Sequence, residues 1–326
     1  GDSVNLASRL DDMAGPGETL ISDAVWRAVS GLAQVEGAGE VPVKGLDDPV
    51  RVWRMIALQG AMPQAARSLF VGRRAELGQF AGIVEACREG GAGQTVFLRG
   101  EAGIGKTRLV KEFTSIAEKQ GFAIHKGLFF DFGVGKGQDA IGALVRSLLA
   151  IAPGSRKELR RAAAERAFAD GLLEPDQRAF LDDLLDLRQA GEIRAMYDAM
   201  DNATRNQGKR EVVTRLIAGL GAIQPVLVAI EDLHWADPLA LAHMAAMTSV
   251  VRDCPAVLLM TSRIEGDPLD QAWRNTVHGM PLMTIDIGPL RERDAMELAK
   301  TYMDSGNRLA AHCIERAEGY PLFLEQ

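Results

Sequence analysis

Thr95-Val-Phe-Leu-Arg-Gly-Glu-Ala-Gly-Ile-Gly-Lys-Thr-Arg-Leu-Val110 decides the fold of this chain. It joins a short apolar run, a glycine-rich loop and the start of a helical pattern. Gly100-Glu101-Ala102-Gly103-Ile104-Gly105-Lys106-Thr107 satisfies G-x-x-x-x-G-K-[ST] in full. Glycines let successive backbone N–H groups turn inward toward phosphate oxygens. The helix that follows adds the positive end of its dipole. Lys106 supplies a point charge for the outer phosphates, and the Thr107 hydroxyl suits Mg²⁺. Chance would produce the four fixed positions in on the order of one per cent of chains this long. The apolar run before the loop, and Leu109, Val110 and Phe113 at helical spacing after it, set the motif between strand and helix. The whole loop, with Arg108 beside it, is the candidate nucleotide-binding set, and ATP or ADP with Mg²⁺ is the expected cofactor.

Two acids further on belong to the same chemistry. Pro225-Val-Leu-Val-Ala-Ile230 is a continuous apolar run, as in a buried parallel strand, and it ends in Glu231-Asp232. Acids at a strand's carboxyl end suit Mg²⁺ and a nucleophilic water. Glu231 is assigned to the Mg²⁺ shell with Thr107, and Asp232 to the water, although the two roles are exchangeable on sequence alone. His234 has no second His or Cys at metal-ligand spacing and reads as packing. Ala256-Val-Leu-Leu-Met-Thr-Ser262 is another buried strand, followed by Arg263, and Leu282–Ile287 is the last. Alternating strands and helices argue for an α/β layer fold.

The string Glu231-Asp-Leu-His-Trp-Ala-Asp-Pro238 resembles the signature of the signal-transduction ATPases with numerous domains, the STAND group of AAA+-type proteins. That resemblance implies a P-loop NTPase whose parallel sheet is flanked by helices. It makes Arg263 the γ-phosphate sensor, so that Lys106, Glu231, Asp232 and Arg263 form the candidate catalytic set. Phe70-Val71-Gly72-Arg73 is similar to the turn that lies against adenine in these ATPases, which adds Val71 and Gly72 to the binding set. Gly319-Tyr-Pro-Leu-Phe-Leu-Glu325 is similar to their lid segment, and Pro321 is the position that backs onto nucleotide. Tyr320 replaces the usual Asn.

The first residues carry a second resemblance. Gly1-Asp-Ser-Val-Asn-Leu-Ala-Ser-Arg-Leu10, Pro16–Ser22 and Lys44–Val50 together resemble the carboxy-terminal end of a class III nucleotidyl cyclase domain. It implies that Asn5 and Arg9 steady the transition state of cyclisation in a longer parent. The metal-binding aspartates of that family are not in this sequence, so the chain alone is not expected to make cyclic nucleotide. The expected organisation is a partial α+β cyclase remnant (1–58), a linker (59–67), the ATPase core (68–288) and the start of a helical lid (289–326). The implied partners are ATP, an upstream cyclase half and downstream sensor repeats of the same parent, which is expected to pair as a homodimer. Two other readings are a nucleotide-bound scaffold and a STAND-type transcriptional regulator.

Composition fits an ordinary globular chain: 326 residues, about two domains' worth, with 47% hydrophobic and 25% charged residues. A net charge of −7 argues against a general nucleic-acid binder. Cys87, Cys254 and Cys313 lack C-x-x-C spacing and read as reduced thiols in a cytoplasmic protein. No apolar run of about 18 residues suggests a membrane span. The abrupt start at Gly1 and stop at Gln326 suggest a piece of a longer protein. Between the strands, Thr19–Ser22 reads as a strand, Asp23–Val29 as a helix capped by Ser22, and Glu40–Gly45 and Val50–Ile56 as two strands. Gly133–Gly137 reads as a flexible connection, and 139–223 as several helices.

Overall fold

The computed structural model describes residues 6–7, 10, 13–14, 18–30, 33–41, 49–58, 70–129, 136–189, 191–300 and 316–324. The chain divides into two compact units, Gly1–Leu69 and Phe70–Gln326.

In the first unit, strands β1 (Leu20–Ser22), β2 (Ala33–Val41) and β3 (Val50–Leu58) form an antiparallel sheet in the order β1-β3-β2. Helix α1 (Asp23–Val29) follows β1 directly, with the Ser22 hydroxyl accepting from the Val25 N–H at its start. Trp53 Nε1–H donates to Asp23, and Trp26 stacks on Trp53 with ring centroids 4.5 Å apart. The strand expected at Glu40–Gly45 includes Glu40 and Val41 of β2, while 42–45 lie outside the described residues. β2 itself begins at Ala33, and register shifts at Gln34/Val35 and Gly37/Gly39 interrupt the alternation that sequence reading relies on. Asn5, Arg9, most of the Lys44–Val50 segment and the 59–67 linker lie outside the described residues.

The second unit is an α/β fold on a five-stranded sheet. Its strands are β4 (Thr95–Gly100), β5 (Ala123–Leu128), β6 (Val226–Glu231), β7 (Ala256–Ser262) and β8 (Leu282–Ile287). They run parallel in the order β5-β6-β7-β4-β8. Each central strand alternates its side chains between two buried layers. Val96, Leu98, Leu227, Ala229, Val257 and Leu259 pack with α2 (Arg74–Gly90) and α3 (Lys106–Lys119), where Phe80 and Phe113 stack at 4.1 Å. Phe97, Val228, Ile230, Leu258 and Met260 face a larger cluster. Its helices include α4 (Lys136–Leu148), α5 (Lys157–Ala169), α6 (Arg178–Leu184), α8 (Asn202–Ile223) and α9 (Pro238–Val251), while α7 (Gly191–Ala199) lies outside it. Near-complete apolar composition of β6 and β7 is the cost of being covered on both faces. Gly93 is required by close approach: a Cβ there would meet the Ala256 carbonyl oxygen at 1.6 Å.

The connection expected at Gly133–Gly137 is corrected at its end, where Lys136 and Gly137 are already helical, while 133–135 lie outside the described residues. After β7 come α10 (Gln271–Thr276), then, past β8, α11 (Glu292–Ala299) and the short α12 (Pro321–Leu324). Val71, Leu290, Ala295, Leu298, Ala299, Ala317 and Leu324 form a small separate core. Among the described residues no helix is long and apolar enough to cross a membrane.

Candidate nucleotide site

The parallel order brings the carboxyl ends of β4, β6 and β7 side by side, and ligands of open α/β sheets bind beyond such ends. The loop after β4 turns through two left-handed glycines, Gly103 (φ 76°) and Gly105 (φ 98°), before α3 starts at Lys106. Side chains would be strained at both positions. Gly100 is fixed by space instead: a Cβ would lie 2.6 Å from Ile287 and 2.8 Å from Ile104. Ile104 is buried, so its apolar side chain anchors the loop. Lys106 Nζ donates to the carbonyls of Gly100 (2.8 Å) and Glu101 (2.9 Å). Burial lowers the Lys106 pKa first; the Asp232 carboxylate opposes this, and the Arg263 guanidinium adds to it. Those three charges therefore share one electrostatic neighbourhood.

Thr107, at the start of α3, and Glu231, at the end of β6, are close enough to interact through their side chains. Burial raises the Glu231 pKa, with the Thr107 hydroxyl pulling the other way and Asp232 adding repulsion. Asp232 leaves β6 in the left-handed region (φ 59°, ψ 46°), and its N–H donates to Thr261 Oγ1 at 3.1 Å. Its carboxylate is 3.9 Å from His234 Nδ1. His234 packs against Trp235 at 4.8 Å, and the Arg263 guanidinium sits 5.7 Å from the Trp235 ring centroid. Asp237 caps α9 by accepting from the Ala240 N–H at 2.7 Å, with Pro238 in the first turn. The Glu231–Pro238 string is thus one continuous turn from strand end to helix start.

The leading turn is placed against the same end of the sheet. Gly72 (φ 69°) packs on Asp294 of α11, where a Cβ would meet the carboxylate at 2.7 Å. Val71 is buried in the small core with Leu290 and Leu324. Arg73, itself left-handed at φ 56°, donates to the Gly288 carbonyl and at 3.5 Å to the Ile104 carbonyl of the loop. A cavity of about 450 Å³ opens here, lined in part by Gly72, Arg73, Glu76, Leu290 and Asp294. On the other side, the Leu322 N–H donates to the Gly103 carbonyl at 3.3 Å, and a Cβ on Gly105 would meet Pro321 at 3.7 Å.

Three positions carry weight that sequence reading did not assign. Arg99 pairs with Asp286 and Asp267, bracing β4 against β8 and the segment after Arg263. Thr261 holds Asp232. Leu322 touches the loop. For Thr261 the signal was present: a hydroxyl inside an otherwise apolar buried strand needs a partner.

The donor set suits Mg²⁺. Among the described residues no group of three or more His, Cys, Asp or Glu side chains could hold a metal ion. A hydroxyl and one or two carboxylates, with substrate phosphates completing the shell, is how Mg²⁺ is usually held. Thr107 and Glu231 would hold it here, with Asp232 beside them. Cys87 and Cys254 are buried free thiols, and Cys313 lies outside the described residues.

A family model described as an AAA ATPase domain matches residues 69–260. An uncharacterised protein of Rhizobium meliloti (strain 1021) is 25% identical over 271 residues, 81% of this chain. The chain spans only 26% of that relative's length. Among solved structures, a STAND protein with a tetratricopeptide repeat sensor from Pyrococcus horikoshii is 17% identical, with 78% of this chain and 29% of that chain covered and a TM-score of 0.45. The Aeropyrum pernix ORC2 protein is 13% identical, with 82% and 62% covered and a TM-score of 0.45.

Proposed function

The chain belongs to the AAA ATPase domain family, and from that premise we propose that its second unit binds ATP with Mg²⁺ and hydrolyses it slowly, as the switch of a regulatory protein. The observation that supports this most is the left-handed Gly103–Gly105 loop closing on Lys106 at the end of β4, next to the ends of β6 and β7 that lead to Glu231, Asp232 and Arg263. In this reading backbone N–H groups of 103–108 and Lys106 bind the phosphates. Asp232 orients or accepts a proton from the attacking water, and Arg263 meets charge building on the γ-phosphoryl group. When bound, Mg²⁺ would neutralise phosphate charge beside Thr107 and Glu231. Glu231 and Asp232 remain exchangeable in role. The base lies toward Val71 and Gly72, with Pro321 on its other side.

The finer reading is a STAND-type module in a cytoplasmic, homodimeric nucleotidyl cyclase, with sensor repeats downstream. It rests on the Glu231–Pro238 and Gly319–Glu325 strings and on the Gly1–Leu10 motif. In the longer parent, Asn5→Ala or Arg9→Ala should cut cyclic-nucleotide production sharply; unchanged production removes the cyclase assignment.

The deciding experiment denatures the purified chain, identifies released nucleotide, and follows Mg²⁺-dependent ATP turnover beside Lys106→Ala. Slow, Lys106-dependent turnover supports the switch. Bound nucleotide with no turnover favours a scaffold, and no binding overturns the nucleotide reading. The transcriptional-regulator alternative would require a DNA-binding domain elsewhere in the parent.

A further inference from the structure

Asp232 is the left-handed residue of the candidate site that carries its own functional side chain. Its backbone sits at φ 59° and ψ 46°, a region that non-glycine residues occupy rarely and that is kept where surroundings enforce it. The sheet stops helping at this point. Leu128 pairs with Glu231 on one side, and Met260 pairs with Ile230 on the other. Asp232 is the next residue, so neither ladder continues to its N–H. That donor is taken instead by Thr261 Oγ1, at 3.1 Å. Thr261 is 1% exposed, so its hydroxyl is held by the packed strand around it. A β-branched side chain in a strand is also stiff at χ1. The bond thus transfers the rigidity of β7 to a turn that lies beyond the end of β6.

The same strand leads two residues later to Arg263, so one rigid element sets both the sensor arginine and the Asp232 backbone. We propose that Thr261 is a positioning residue: it fixes Asp232 in the left-handed conformation and so aims its carboxylate into the site shared with Lys106 and Arg263. Thr261 touches no reacting atom in this scheme. This inference rests on the ATPase reading of the site for its functional half, while its structural half stands on the hydrogen bond alone.

Thr261→Val removes the hydroxyl with little change of shape, and Thr261→Ser restores it. Misplacing a catalytic group by about 1 Å can cost on the order of a hundredfold in rate. In the full chain, Thr261→Val should lower kcat at least tenfold, leave ATP affinity within about threefold, and move Asp232 out of the left-handed region in a crystal structure. Thr261→Ser should return kcat to within about threefold of the unaltered chain. Should the valine variant fail to fold, Thr261→Ala is measured in its place against the same serine control. Unchanged kcat overturns the inference, as does a reduced kcat with Asp232 still left-handed, or a serine variant no better than valine. If the unaltered chain itself shows no Lys106-dependent turnover, the ATPase reading fails, and the crystal structure of the variant still decides whether Thr261 sets the Asp232 backbone.

Discussion

Two turns at the same end of the sheet leave buried strands through left-handed backbone, and they are built from opposite materials. The phosphate loop uses Gly103 and Gly105, residues with nothing to lose at positive φ. The turn after β6 uses Asp232, which bears the strain of a side chain and is steadied by Thr261. The difference follows from what each turn offers a ligand. A loop that binds through N–H groups needs no side chains and gains from their absence. A turn that must present a carboxylate cannot use glycine, so its conformation has to be held from outside.

The sharpest test of the glycine turn is Lys106→Ala. It should weaken ATP binding on the order of a hundredfold or more, as for other removed charge-stabilising donors, measured by calorimetry. Retained affinity would mean that the loop is not the phosphate site. At the aspartate turn the opposite pattern is expected. Asp232→Asn keeps a residue that tolerates left-handed backbone but removes the charge, so turnover should fall about a hundredfold while affinity holds within about threefold. If both fall together, the two turns are not functionally separate.

Smaller effects separate backbone strain from contact. Gly103→Ala and Gly105→Ala each force a side chain into positive φ, costing about 1–2 kcal/mol. Only Gly103 also meets Leu322, at 3.0 Å. Thermal melts should therefore show Gly103→Ala as the more destabilising. Equal losses would mean that the α12 contact contributes nothing.

His243, buried in α9, gives the fold a pH dependence of its own. Burial lowers its pKa from 6.5 to about 4, with Arg210 and Lys209 adding to the shift while the Leu239 carbonyl and Asp237 oppose it. The unfolded chain thus takes up the proton first as pH falls, so stability is full above about 6.5 and is lost progressively toward 4. By pH 5.5 the loss should be about 1.4 kcal/mol. His243→Gln should flatten that part of the stability curve, and an unchanged slope would assign it elsewhere.

Sequence reading succeeded where a residue type is dictated by geometry. Gly103 and Gly105 announce their turn, and the long apolar runs of β6 and β7 announce burial on both faces. It stopped where conformation depends on a distant neighbour. Nothing in Glu231-Asp232 signals a left-handed aspartate, because its partner hydroxyl belongs to another strand. Arg73 shows no local sign of reaching Gly288 and Ile104. The early start of β2 was hidden because Gly37 and Gly39 break the period on which the strand pattern depends. Gly137 reads as a loop residue by propensity, yet it falls in the first turn of α4.

Strand order carries one more consequence, in the time taken to fold. β4 pairs on both sides with strands that come last in the unit: Thr95 is opposite Leu258 on one flank and Leu282 on the other. During synthesis the phosphate-loop strand therefore emerges early and waits for its first sheet partner until the chain has been made through Ser262, and for its second until Ile287. Contacts so distant in sequence form slowly. The last part of this domain to be completed is the one that recognises nucleotide, and ATP should bind only after the rest has folded.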